Sequence, residues 1–147
     1  AYGQWFAGAR LNTCFNALDR HVAAGRGGQA ALIWDSPMTG KLVTYSYTQM
    51  RDRTAKVAGA LAKLGVRQGD RVIIYMPMVP EAAIAMLACA RLGAIHSVVF
   101  GGFSPQSLSD RILDSDCRVV ITADCLEAIS FHLAKARTDA RKRWRQR

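Results

Sequence analysis

The stretch from Asp70 to Phe100 constrains this chain more than any other. DRVIIYM at 70–76 puts five apolar residues in a row, as expected of a strand buried on both faces. PMVP at 77–80 leads out of it, stiffened by two prolines. EAAIAMLACARLG at 81–93 has helical length and closes on Gly93, a helix stop. AIHSVVF at 94–100 returns as a β-branched strand. Two parallel strands need a crossover of this size, and its normal hand is right-handed. The intervening helix is apolar nearly all round, which predicts burial on several sides.

The flanking segments repeat the theme. GGF at 101–103 follows the returning strand, Ser104 is placed to cap the next helix, and Pro105 sits at its first position, where a missing amide donor is harmless. Leu108 and Ile112 continue an inward stripe, and CRVVITAD at 117–124 supplies another strand. Upstream, Leu11, Phe15, Leu18 and Val22 give residues 11–24 a helical spacing that GRGG at 25–28 ends. QAALIW and KLVTY, separated by SPMTG, form a hairpin. Ser46 and Gln49 make a capping box for a helix whose inward stripe is Met50, Thr54, Val57, Leu61 and Leu64, closed by Gly65. The expected fold class is α/β: a partial, open, mostly parallel sheet with helices on its flanks.

With 147 residues, half of them hydrophobic and 21% charged, the chain reads as one globular domain rather than a disordered segment. No window has the apolar length of a membrane span, and the opening AYGQWFAGAR is not signal-like. It begins with Ala, which leaves room for an upstream start and a processed transit segment. Cys14, Cys89, Cys117 and Cys125 form no CxxC pair, which points to a reducing compartment and no zinc site. The net charge of +9 is unevenly placed. Residues 1–131 carry 13 Lys/Arg and 10 Asp/Glu, whereas 132–147 carry seven basic residues and one acid. The tail DARKRWRQR, with Trp144, lacks any zinc-finger spacing, recognition-helix context or RNA motif, so specific nucleic-acid binding is not expected.

No GxxxxGK[ST] phosphate loop and no GxGxxG fingerprint occurs. Gly101 and Gly102 are the chemically interesting pair, because they fall at the carboxyl end of a strand, where open α/β sheets form ligand crevices. A glycine turn there admits close approach, the following helix start offers backbone donors to an anion, and Phe100 and Phe103 provide flat apolar surface. A plain structural turn explains the same residues. Tyr75 to Pro80 form a second candidate edge, with a rigid crossover as the plain alternative. His96 is expected to pack or hydrogen-bond. His21 and His132 share no ligand spacing with it, and Asp110, Asp114, Asp116 and the Asp124–Glu127 pair read as solvated.

YMPMVPEAAIAMLACARLGAIHSVVFGGFSPQSLSDRI, with WFAGARLNTCFNALDRH before it, resembles the short-chain AMP-forming acyl-CoA synthetases, particularly the acetyl-CoA and propionyl-CoA synthetases. The similarity runs from about Trp5 to Asp124, and IWDSPMTG tilts it toward the propionyl branch. The resemblance implies a parent enzyme that uses ATP and Mg to join a small carboxylate to AMP, then passes the acyl group to the CoA thiol. It implies that Phe100 packs against the adenine of CoA while Gly101 and Gly102 let the nucleotide pass. Tyr75–Glu81 become scaffold beside it, and no residue of this chain is catalytic.

Set against that family, the chain lacks the Ser/Thr/Gly-rich ATP loop, the ribose-binding aspartate, the acyl pocket and the lysine-bearing small domain. Residues 1–125 are therefore expected to be a partial amino-terminal synthetase domain, and 126–147 a divergent basic tail produced by truncation, frameshift, splicing or a gene-model error. The expected function is a fragment of a propionate- or acetate-CoA ligase, inactive alone. Its partners would be the parent's carboxylate and CoA together with the missing downstream domains, in the cytoplasm or, after transit, the mitochondrial matrix. The alternatives are a non-catalytic interaction module with a basic tail and a fragment with no independent function.

Overall fold

The computed structural model describes residue 3 and residues 6–102 and 104–123. Among them, strands β1 (Ala30–Ser36) and β2 (Lys41–Ser46) form an antiparallel hairpin. Helix α1 (Tyr47–Lys63) follows directly. Strand β3 (Arg71–Met76), helix α2 (Pro80–Leu92) and strand β4 (Ile95–Phe100) make the β–α–β unit. Helix α3 (Pro105–Ser115) and strand β5 (Val119–Thr122) complete the described fold. The main sheet is parallel throughout, in the order β4-β3-β5, so β3 is central.

Alternation along β3 sends its side chains into two cores. Val72, Ile74 and Met76 pack with Ala58 and Leu61 of α1 and with Ala82, Ala85, Ala88 and Cys89 of α2. Ile73 and Tyr75 pack on the other face with Val99 and with Leu108 of α3. This explains why VIIYM carries no outward polar residue. A third cluster of Cys14, Leu18, Met50 and Ile84 ties the amino-terminal turns and the hairpin to α1 and α2. Helix α2 thus contributes to two cores, as its all-round apolarity required.

The helix ends follow from local chemistry. The Ser46 side chain accepts from the Gln49 amide and the Gln49 side chain accepts from the Ser46 amide, so the capping box is complete. At the far end Gly65 takes φ +86, which lets Val66 donate to the Leu61 carbonyl and Gly65 to that of Ala62. Gly93, at φ +70, ends α2 the same way, with Ala94 bonded to Cys89 and Gly93 to Ala90. In both cases the residue after the glycine is buried in the same core as the side chain of the residue whose carbonyl accepts its amide, Val66 with Leu61 and Ala94 with Cys89, the apolar contact that accompanies this cap.

That cap corrects one expectation. Leu64 is not part of the inward stripe but is 65% exposed, because the glycine reverses the chain and Val66 takes the core position. Ala58 joins the stripe instead. The amino-terminal helix also differs. Phe15–Asp19 and Val22–Arg26 form π-type turns, Cys14 and Leu18 face inward, and Leu11 and Phe15 are exposed. Wider i→i+5 turns rotate the expected stripe, and polar anchors hold the new orientation. Asn12 donates to the Ala90 carbonyl at 2.9 Å, and Arg91 donates to both Asp19 oxygens at 2.7 and 2.9 Å. Gly27 makes the junction between this segment and α1, where its carbonyl accepts from the Thr48 amide. A Cβ at Gly27 would lie 2.5 Å from the Thr48 hydroxyl oxygen, so only glycine fits without a shift.

Cys14 and Cys89 are buried free thiols and Cys117 is a half-buried one, while Cys125 lies outside the described residues. Burial raises the pKa of all three, that of Cys89 to about 11. A thiol whose folded pKa is raised stabilises the fold below its unfolded pKa, and that contribution disappears as pH rises toward the folded value. Denaturant titrations should therefore show stability falling between about pH 9 and pH 11, with a smaller fall in Cys89→Ala. Ile74→Ala, at the centre of the first core, should cost about 2–5 kcal/mol by urea unfolding. That is a large fraction of the roughly 5–15 kcal/mol a domain possesses.

Candidate functional site

The carboxyl ends of β3 and β4 lie side by side, with Tyr75 opposite Val99 and Met76 opposite Phe100. Beyond Phe100 the ladder stops and the two glycines turn the chain toward α3. Tyr75 is fully buried, and its hydroxyl donates to the Gly101 carbonyl oxygen at 2.9 Å. Burial pushes the phenol's pKa up, so it remains a donor at neutral pH. Phe100, by contrast, is 55% exposed. Its side chain shares a sheet face with those of Val98 and His96, since residues two apart on a strand point the same way.

Gly102 has a specific steric reason. A Cβ there would lie 2.8 Å from Cε1 and 3.2 Å from Cδ1 of Phe100. The aromatic ring therefore occupies the room the missing side chain leaves. Phe103, expected as a second flat surface, lies outside the described residues.

The start of α3 is a weaker anion cradle than its position suggests. Pro105 has no amide hydrogen, the Ser107 amide donates to the Ser104 hydroxyl at 3.3 Å, and the Leu108 amide donates to the Ser104 carbonyl. Within that first turn these bonds leave the Gln106 amide. Further along the helix, Asp110 and Asp114 share a shallow groove with Ser104, Ser107 and Arg111, and two carboxylates there oppose an added negative charge. Asp110 accepts from the Gln106 side chain, and Asp116 pairs with Arg71 at 3.1 Å.

The other candidates separate clearly. Along Tyr75–Pro80, Tyr75, Met76 and Pro80 are buried, and Met78 is the exposed member. The Met78 carbonyl accepts from the Trp34 indole at 2.9 Å, which ties the hairpin to the crossover. His96, expected to pack or hydrogen-bond, does not pack. It is exposed on β4, an edge of the three described parallel strands. Sequence reasoning placed Tyr75 near the turn and missed its bond to Gly101. The available signal was a lone hydroxyl in an apolar strand, which needs a partner when buried. Among the described residues, no group of three His, Cys, Asp or Glu side chains is placed to hold a metal ion, and no helix is long and apolar enough to cross a membrane. His132, Asp124–Glu127 and the basic tail lie outside the described residues.

A parallel sheet flanked by helices, with an aromatic–glycine turn at the carboxyl end of a strand, defines an α/β domain of the class whose ligand crevices form at that rim. The chain belongs to the family of AMP-binding enzymes, whose family model matches residues 19–145. An uncharacterized protein of Pseudomonas aeruginosa is 62% identical over 122 residues, covering 83% of this chain and 19% of its own length. Acetyl-coenzyme A synthetase 2 of Pseudomonas putida is 58% identical over 123 residues, covering 82% of this chain and 19% of its own. The mitochondrial acyl-CoA synthetase short-chain family member 3 of Rattus norvegicus is 52% identical over 119 residues, 81% of this chain and 17% of its own. The chain thus spans less than a fifth of the length of these relatives.

Gly102→Ala should displace the Phe100 ring without unfolding the domain, since the atoms crowded are the far side of an exposed side chain. The expected cost is under about 1 kcal/mol, with changed Phe100 ring resonances by NMR and little change in melting temperature.

Proposed function

We propose that this chain carries the part of a short-chain acyl-CoA ligase that receives the adenine end of CoA. The observation that carries this reading is the exposed Phe100 ring at the carboxyl edge of the sheet, seated over Gly102. An aromatic face of this kind stacks a base without reading its sequence. Gly101 and Gly102 keep the neighbouring backbone free of side chains. The relatives' printed names, acetyl-CoA synthetase and short-chain acyl-CoA synthetase, support the substrate class.

In the parent reaction a carboxylate oxygen attacks the α-phosphate of ATP, forming the acyl–AMP anhydride and releasing pyrophosphate. The CoA thiol then attacks the acyl carbon, forming the thioester and releasing AMP. Propionate or acetate is the proposed acid. Mg would neutralise phosphate charge in the first step. Residues of this chain bind and orient the base of CoA in the second step. They supply no acid, base or nucleophile to either, and the phosphates of CoA need cations beyond the α3 start. The reading retains a partial synthetase domain over 1–125 with a basic tail over 126–147. It places the protein in the cytoplasm, with the mitochondrial matrix as the alternative suggested by the rat relative's name, and assigns no specific nucleic-acid partner.

A second reading, a non-catalytic interaction module, draws on a different observation. Ile95 and Val98 of edge strand β4 are exposed along with Phe100, an apolar strand without the charges that usually protect an edge.

Two measurements test the proposal. NMR titration of the 147-residue chain with CoA should give weak binding that shifts Phe100 and the glycine amides. Phe100→Ala should weaken it roughly 5- to 150-fold, the value of about 1–3 kcal/mol of base stacking. With ATP, Mg, CoA and either acid, the purified chain should form no acyl-CoA. Thioester formation by the chain alone would overturn the assignment of catalysis to groups outside it, and the absence of any CoA-dependent shift would overturn the adenine site.

A further inference from the structure

The turn after β4 has a tether that its own sequence does not supply. The β3–β4 ladder ends at the Met76–Phe100 pair, so Gly101 and Gly102 lie beyond the last paired residue. Two successive glycines have more conformational freedom than any other pair of residues, and fixing them carries the largest backbone entropy cost. From β3, the Tyr75 hydroxyl reaches past the strand end to the Gly101 carbonyl at 2.9 Å, joining residues 26 apart in sequence. The Tyr75 ring is held among Ile73, Val99 and Leu108, so the donor arrives from a side chain fixed on β3, β4 and α3 together. A Phe would satisfy that packing equally well. Tyrosine adds one polar atom to an otherwise apolar strand, and its burial is compensated by this bond.

We infer that Tyr75 is a positioning residue for the ligand-binding turn: its hydroxyl holds the Gly101 carbonyl, and so fixes the direction in which the Phe100 ring and the Gly102 backbone meet the base of CoA. The inference rests on the CoA reading above for the identity of the ligand, but the tether itself does not. With Gly101 held, the half-exposed Phe100 ring stays beside Gly102, and the ligand meets a surface that is already ordered. Preorganisation of this kind appears as affinity, because the ordering cost is met on folding and not on binding. Tyr75 is fully buried and acts through Gly101, so loss of its hydroxyl should alter binding of CoA and leave the sheet intact.

The experiment compares the 147-residue chain with Tyr75→Phe. Amide hydrogen exchange by NMR should show Gly101 and Gly102 exchanging about two- to tenfold faster in the variant, the fold-change corresponding to one net hydrogen bond. The amides of Ile73 and Ile74 should keep their protection, a split that general destabilisation would not produce. The Kd for CoA should rise by a similar two- to tenfold. Incorporation of para-aminophenylalanine at position 75, which restores a ring-borne donor, should return both readouts toward the original values. A further readout needs no variant: the Tyr75 hydroxyl proton should give a slowly exchanging resonance with a contact to Gly101. Unchanged exchange of the glycine amides in Tyr75→Phe, or no protected hydroxyl proton in the original chain, would overturn the tether. Faster glycine exchange with no CoA binding by either protein would leave the tether standing and remove the CoA assignment. Faster exchange with unchanged CoA affinity would overturn the positioning role.

Discussion

Burial of β3 on both faces is the constraint from which the rest of the structure follows. A central parallel strand leaves no side of itself for water, so each of its residues needs a partner layer. Val72, Ile74 and Met76 draw α1 and α2 to one face, and Ile73 and Tyr75 draw α3 to the other. Both flanking strands pair with it in parallel, which requires crossovers and thus places α2 and α3 where they are. At roughly 1.5–3 kcal/mol for each large apolar side chain buried, this one strand gathers a substantial share of the fold's stabilisation.

The candidate site is a by-product of that arrangement. Parallel strands end together, and the loops that leave their carboxyl ends share one rim. Phe100 occupies that rim because β4 is an edge strand whose α2-side row is left uncovered, and Gly102 occupies it because the ring needs the room. The rim offers an aromatic surface but little positive potential, since capping by Ser104 and the proline at 105 consume most donors of the α3 start. Such a surface suits the base of a nucleotide better than its phosphates. The chain belongs to the AMP-binding family and spans less than a fifth of the length of its relatives.

Legibility varied with how local the determining contact was. The capping box at Ser46 and Gln49, the Ser104 cap with Pro105, and the glycine stops at 65 and 93 all read correctly, because each joins residues a few positions apart. The β–α–β unit read correctly for a related reason: strand, crossover and return are consecutive. Leu64 failed because a stripe assumes the helix continues, whereas Gly65 turns the chain and substitutes Val66. The amino-terminal stripe failed because Asn12 and Asp19 bind the distant end of α2, and those bonds set the rotation of the π-type turns. His96 does not pack, because exposure of a strand residue depends on where its strand lies in the sheet, which spacing along one strand does not encode.

The sequence by itself therefore determined the α/β class, the hairpin, the crossover, the helix caps and the presence of an aromatic–glycine turn at a strand end. Hydrophobic period, glycine conformation and side-chain capping act over a few residues, and they are written in order along the chain. Only the tertiary structure decided that β3 is central among the described parallel strands, that the half-exposed Phe100 ring fills the room beside Gly102, and that a tyrosine hydroxyl on β3 holds the Gly101 carbonyl. Those features depend on strand order and on the register of Tyr75 against Val99, set by the simultaneous packing of two cores on opposite faces of one sheet.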